Sequence, residues 1–270
     1  LQIFNLPKIE EIKKKKIKIG FLSSNLASNH SVTYFIKDLF RYKNDKFETH
    51  VFSDLKEHQE DATTKKIKSN VDFFYNISKK SNIELASFLR SIGIDVLIDI
   101  NGYLGKGRIE IFNSRVSQIQ ISWLATCNTT GIDNIDYLIA DDNVIPDHEE
   151  KLYPEKILKL PNLWSVHSGF DLERKFSPSP CENKNFFTFG SLNNYHKISD
   201  EVVQAWAKIL RNCDNSKLLL KSSSMKVNQE SIIKKFKKYD LEDKLIILSS
   251  KNYPHKKDHL KVYNDIDLAL

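Results

Sequence analysis

Four stretches of this sequence set hydroxyl, amide, imidazole and ammonium groups directly behind apolar runs. The first, Ser23-Ser24-Asn25-Leu26-Ala27-Ser28-Asn29-His30, follows Ile17, Ile19, Phe21 and Leu22. Backbone N–H groups at a strand-to-helix passage can hold an anion, and His30 could exchange a proton or bond a sugar, although a structural or merely exposed histidine would read the same. The second, Asn101-Gly102-Tyr103-Leu104-Gly105-Lys106-Gly107-Arg108, places three glycines within six residues beside two cations. It suits a cradle for a phosphate or a peptide, fits neither a P-loop nor a dinucleotide fingerprint, and is equally readable as a plain turn. The third, Cys127-Asn128-Thr129-Thr130-Gly131, offers small polar groups after another apolar run. The fourth, Gly190-Ser191-Leu192-Asn193-Asn194-Tyr195-His196-Lys197, ends in a cation. Lys197 could neutralise a leaving diphosphate, where negative charge develops in transfer from a nucleotide sugar; a solvated lysine is the alternative.

These loops matter because of what precedes them. Strands are predicted at Ile17 to Leu22, Phe47 to Phe52, Val71 to Ile77, Ile94 to Ile100, Gln118 to Leu124 and Tyr137 to Ala140. Val32, Phe35, Ile36, Leu39 and Phe40 recur at helical spacing, and Ser81 to Ile92 reads as a helix capped by Ser81 and closed by Gly93. The stretch around Pro146, Pro154 and Pro161 reads as irregular, and 165–185, with Pro178 and Pro180, as a connector. Beyond it come strands at Phe186 to Gly190, Lys217 to Leu220 and Leu245 to Leu248, helices at Asp200 to Leu210 and Gln229 to Tyr239, and the start of a further strand within Asp265 to Leu270. Alternation of this kind predicts doubly wound parallel sheets, whose ligands bind beyond the carboxyl ends of the strands. The expected organisation is a basic lead-in at 1–16, a first lobe at 17–164, the connector, and a second lobe at 186–270.

Composition narrows the function classes. The chain has 270 residues, 40% hydrophobic and 28% charged, with 8 Gly and 7 Pro, enough for two folded domains and not the mixture of a disordered segment. Its net charge of +6 is spread over many short lysine clusters among acids, which reads as solvated surface and not as a nucleic-acid partner. No apolar run is long enough to span a bilayer and no signal peptide is visible, so a cytoplasmic protein without membrane contact is expected. Cys127, Cys181 and Cys213 are odd in number and far apart, suggesting neither disulfides nor a zinc site. Walker, HExxH and nucleophile-elbow motifs are absent, so several common enzyme classes lose support.

The order and wording of the loops resemble the catalytic region of the protein O-GlcNAc transferase and Spindly family. The resemblance lies in Ile17 to Ser24 with His30-Ser31-Val32-Thr33-Tyr34-Phe35-Ile36, and in Asp99-Ile100-Asn101-Gly102-Tyr103. It continues in Gln118 to Leu124 with Asn128 to Gly131 and Asp136-Tyr137, then in Phe189 to Asn194 with Lys197-Ile198 and Trp206-Ala207, collinear over 17–270. It implies an α/β GT-B-like pair of Rossmann-like lobes, the second incomplete, with nucleotide sugar and protein acceptor meeting in a cleft. It also implies an inverting mechanism without metal or cofactor, cations and backbone dipoles holding the diphosphate. By position, His30 matches the family histidine at the sugar end of the site, and Lys197 the lysine that binds the diphosphate. Asn194, Asn128 and Thr129 stand at donor-binding positions, and Arg108 on the acceptor side. Asn25 stands near a usual Asp, Thr126 and Cys127 replace an aromatic residue and a proline, and His196 receives no role. The implied reaction is transfer of N-acetylglucosamine from UDP-GlcNAc to Ser or Thr hydroxyls of proteins. GDP-fucose is the alternative donor, and a non-catalytic binding module the alternative class. With part of the second lobe expected to be missing, no turnover is expected from this chain alone.

Overall fold

The computed structural model describes residues 4, 6, 16–28, 30–105, 107–169, 177–222, 225–249 and 256–270; side chains at 222, 225–227, 249, 256 and 257 are not described. The basic lead-in expected at 1–16 therefore lies almost wholly outside the described residues, as do Lys106 and the middle of the expected connector. The chain forms two compact units, Leu1–Phe170 and Asp171–Leu270.

The first unit is built on a seven-stranded sheet of β1 (Ile17–Ser23), β2 (Phe47–Ser53), β3 (Phe73–Asn76), β4 (Val96–Asp99), β5 (Ile119–Ser122), β6 (Tyr137–Ala140) and β7 (Lys156–Lys159), in the spatial order β3-β2-β1-β4-β5-β6-β7. Every neighbouring pair is parallel. Successive strand residues point to opposite faces, so continuous apolar runs mean that both faces are covered. Leu22, Phe52 and Leu97 pack on one side with Leu85, Ala86 and Leu89 of α3 (Asn82–Ile92). Their neighbours Phe21, Val51 and Ile98 pack on the other with Val32 and Ile36 of α1 (Ser31–Ile36) and Ile67 of α2 (Ala62–Asn70).

The helix over 82–92 forms as predicted. The Ser81 hydroxyl accepts from the Glu84 amide, the Glu84 carboxylate accepts in return from the Ser81 amide, and Gly93 closes the helix at φ 68°. The helix expected to run on to Phe40 instead stops at Ile36 and gives way to a 3-10 turn over Leu39–Arg41. That turn still delivers Phe40 edge-on to Phe21 at 5.2 Å, so the apolar spacing survives the change of helix type. Besides 3-10 turns, two elements of this unit were not expected: α2, whose Lys- and Thr-rich sequence buries only Thr64 and Ile67, and β7, which lies in the stretch read as irregular. A capping box made by Asp61 and Thr64 starts α2. β7 is an edge strand with lysines at both ends, a pattern that discourages edge-to-edge association and hides the apolar signal.

The second unit repeats the scheme with β8 (Phe187–Ser191), α4 (Asp200–Asn212), β9 (Ser216–Ser222), α5 (Met225–Lys237), β10 (Leu245–Ser249), α6 (Lys256–Lys261) and β11 (Leu268–Ala269). Its parallel sheet runs β10-β9-β8-β11. Val203, Trp206, Ala207 and Leu210 of α4 join Ile232 and Phe236 of α5 on one face, while Val262 and Ile266 cover Leu219 on the other. Gly190 is required there, because a Cβ would stand 2.3 Å from Ile266. Among the described residues no helix is long and apolar enough to cross a membrane.

Candidate functional site

In the first sheet the strand order reverses at β1, with β2 on one side and β4 on the other, so the connections behind β1 and β4 leave in opposite directions and open a crevice. The crevice is bridged by one side chain. Asn101 Oδ1 accepts from the Ser23 hydroxyl at 2.8 Å, the Ser24 amide at 3.0 Å and Asn25 Nδ2 at 3.3 Å. Its Nδ2 donates to Ser24 Oγ at 2.9 Å and to the Leu104 carbonyl at 3.0 Å. Asn101 is 1% exposed, so these bonds exchange little with water.

Behind the bridge, the Asp99 carboxylate accepts from the Asn101 amide at 3.1 Å and the Gly102 amide at 2.7 Å. Burial raises Asp99 to a pKa of about 6, against the opposing pull of those two hydrogen bonds. Gly102 takes φ +53°, which lets the chain turn where a side chain would be strained.

The β1 loop continues to His30, the N-cap of α1. Its amide donates to Ala27 O at 3.1 Å, and its Nδ1 accepts from the Val32 amide at 3.3 Å. A ring that accepts at Nδ1 is the neutral tautomer carrying its proton on Nε2, and half-burial lowers its pKa, favouring that neutral form. Thr33 holds the loop from within α1, its hydroxyl lying 2.6 Å from Asn25 O and 2.8 Å from Ala27 O. Asp61 accepts from the Ser28 amide at 2.7 Å, and Tyr34 donates to Ser28 O at 2.7 Å.

The other predicted residues of this unit stand in different settings. Arg108 is engaged internally: Nε and Nη2 form a fork on Asp54 at 2.8 and 3.0 Å, and Nη1 donates to Lys80 O and Asn82 Oδ1, both at 2.9 Å. The Asp54 hydrogen bond raises its pKa further. Thr129 donates its hydroxyl to Glu155 at 2.8 Å and accepts from the Gly131 amide at 3.0 Å, so that hydroxyl too is occupied within the unit. Asn128 beside it is exposed. Glu155, 3% exposed, had no signal in the sequence, yet it organises this turn by also accepting from the Thr130 amide at 2.7 Å and the Thr130 hydroxyl.

In the second unit, Asn194 and Lys197 belong to the passage from β8 to α4. Asn194 Oδ1 accepts from the His196 amide at 3.2 Å, and the 3-10 turn Tyr195–Lys197 that it caps leaves Lys197 exposed. The N-terminus of α4 follows, capped by Ser199. Lys221, near the carboxyl end of β9, is a buried cation that sequence reading passed over. Its ammonium meets His259 Nδ1, and burial lowers its pKa. Among the described residues no cluster of three or more His, Cys, Asp or Glu side chains is arranged to hold a metal ion.

The profile of glycosyl transferase family 41 matches residues 2–172. The chain belongs to this family. Family 41 relatives include the "Probable UDP-N-acetylglucosamine--peptide N-acetylglucosaminyltransferase SPINDLY" of Arabidopsis thaliana, 28% identical over 267 residues, covering 95% of this chain and 28% of the relative. The chain thus spans about 28% of the length of such curated relatives. A solved mutant of the Thermobaculum terrenum O-GlcNAc transferase superposes with a TM-score of 0.83 at 27% identity, over 94% of this chain and 48% of that one. A glycosyltransferase from Rickettsia africae matches at a TM-score of 0.54 and 11% identity, over 95% of this chain and 73% of that one, a likeness of fold alone. The α/β architecture is of the GT-B type that the resemblance implies.

Proposed function

We propose that the protein transfers N-acetylglucosamine from UDP-GlcNAc to Ser or Thr hydroxyls of proteins, by inversion and without a metal. The observation that carries this is the placement of His30 and the Asn101 bridge at the switch point of a family 41 sheet. The names of the relatives support the donor and the peptide acceptor.

In the reaction the acceptor oxygen bonds to the anomeric carbon as the bond to the diphosphate oxygen breaks, and the acceptor proton is released. By the positions they match, Lys197 is assigned to neutralising the departing diphosphate, and Asn194 and, separately in the first unit, Asn128 are assigned as donor contacts. Negative charge grows there in the transition state, so a cation beside it stabilises that state more than the ground state. The bond from the Val32 amide to His30 Nδ1 implies the tautomer with its proton on Nε2, which suits a hydrogen bond to the donor sugar better than a general base. Arg108 serves the acceptor side through the shape of its loop, its guanidinium already being committed to Asp54.

Mass-resolved transfer to Ser/Thr peptides by a full-length version of the protein, with titration of UDP and GDP, tests the reading. His30→Ala and Lys197→Ala should each lower kcat/KM by about 100-fold, the usual scale for losing one transition-state donor. His30→Gln should recover part of the loss, because an amide also donates. Tighter binding of GDP than of UDP would transfer the proposal to a GDP-fucose donor. Unchanged activity in both alanine variants would refute the assignment of the site.

A further inference from the structure

His30 is only as well placed as the loop that ends in it; α1 holds the far half of that loop through Thr33 and Tyr34, and the β1 end is held from elsewhere. Among the described residues from Ser23 to His30, the turn bonds to itself through the Asn25 amide on Ser23 Oγ at 3.0 Å and the His30 amide on Ala27 O. The restraint at its β1 end arrives from 77 residues away through Asn101. Asn101 makes five hydrogen bonds from one side chain, four of them to Ser23, Ser24 and Asn25. From Asn25 the path runs on through its carbonyl to the Thr33 hydroxyl, in the first turn of the helix that His30 caps.

Asn101 is in turn aimed by Asp99. A fully buried carboxylate costs free energy, and among the described residues its hydrogen-bond partners are the two successive amides of Asn101 and Gly102. That arrangement fixes the backbone where β4 ends and the Asn101 side chain departs. The usual reason to bury a carboxylate, a salt bridge across the core, does not apply to these two bonds.

We propose that Asp99 and Asn101 are positioning residues for sugar transfer: Asp99 sets the turn behind β4, and Asn101, held by that turn, clamps the β1 loop that ends at His30. The proposal rests on the role given to His30 above. Neither residue is asked to touch the substrate. Displacement of a reacting group by about 1 Å costs on the order of 100-fold in rate, so a loosened clamp registers in kcat before it registers in binding.

The test has a structural and a kinetic part, each run on Asn101→Ala and Asp99→Asn. Asp99→Asn places an amide donor against backbone donors, whereas Asn101→Ala removes the clamp and leaves the Asp99 turn, so the second serves if the first folds poorly. By NMR, wild-type His30 should titrate below the ordinary imidazole value. In both variants its Hε1–Cε1 resonance should shift and its pKa move back toward that value, while the amides of 24–27 lose exchange protection and those of β5 and β6 keep theirs. In the transfer assay kcat should fall at least 10-fold, with KM for the nucleotide sugar changed less than 3-fold. A His30 resonance and titration unchanged in both variants would overturn the proposal, as would kcat unchanged in a wild type that transfers sugar. Transfer absent from a full-length wild type, with the His30 shifts present, would overturn the functional reading while upholding the clamp.

Discussion

Replacing Arg108 by alanine separates its two assignments. The guanidinium forks onto Asp54 and also holds Lys80 O and Asn82 Oδ1, thereby joining the end of β2 to the start of α3. The side chains of Arg108 and Asp54 are 19% and 10% exposed, so this is a mostly buried pair and not a surface one. Breaking a buried pair from one side costs about 3–5 kcal/mol, chiefly through the orphaned charge, and the residual exposure argues for the lower end, about 3 kcal/mol. For a domain of this size each kcal/mol moves Tm by about 2–4 °C, so Arg108→Ala should lower the melting temperature by roughly 6–12 °C. Thermal melts of Arg108→Ala, Asp54→Asn and the double variant form a cycle. The double variant should be less destabilised than the sum of the singles, because removing both partners leaves no buried charge. Peptide KM, measured well below the melting transition, should change less than 3-fold. A Tm within 1 °C of wild type together with a 10-fold rise in peptide KM would refute the structural assignment and make Arg108 a direct acceptor contact.

Two further outcomes follow from the carboxylates that frame the β1 loop. Asp99 has a folded pKa of about 6 against an unfolded value of about 3.9, so between these the folded state binds more protons and stability falls as pH rises; the accumulated cost above pH 6 is about 3 kcal/mol. The stability difference between wild type and Asp99→Asn should therefore shift against the wild type from pH 4 to 7 in urea titrations, and a pH-independent difference would show that Asp99 ionises as it does in water. Asp61 behaves oppositely: burial raises its pKa, but hydrogen bonds from Ser28, Thr64 and Thr63 outweigh that, so it contributes stability at neutral pH that is lost as pH falls through its depressed folded value. Asp61→Ala should cost about 1–2 kcal/mol at pH 7 through loss of the α2 cap and the Ser28 amide partner; a loss that persists undiminished in strong acid would contradict this.

The fold was legible wherever local chemistry and burial agree. Ser81, Glu84 and Gly93 announce both ends of α3 without tertiary help, and Ile94 to Ile100 is apolar throughout because helices cover both faces of β4. α2 escaped because a nine-residue helix with one buried isoleucine has almost no apolar period to detect, its start resting on Asp61 and Thr64. β7 escaped because Lys156 and Lys159 flank only two apolar residues at the sheet edge. Helix type after Ile36 was also beyond reach, since the same spacing lets a 3-10 turn bring Phe40 to Phe21.

The loops of the site were legible as places, and the bonds that shape them were not. Asn101 stood out only as the start of a glycine-rich turn, although its side chain holds Ser24 across 77 residues of sequence. Glu155 gave no signal, yet it sets the turn at Thr129 and Thr130 from 25 and 26 residues downstream. Arg108 and Thr129 received their acceptor-side and donor-binding assignments from motif position, which shows which loop a residue occupies and not which of its donors are already taken. In a doubly wound sheet this division is physical. Strand alternation fixes which loops meet at the carboxyl edge, whereas the polar groups that hold those loops arrive from whichever strand lies next in space. Since β1 lies between β2 and β4, the side chains that steady its loop come from behind both neighbours, Asp61 onto Ser28 and Asn101 onto Ser24.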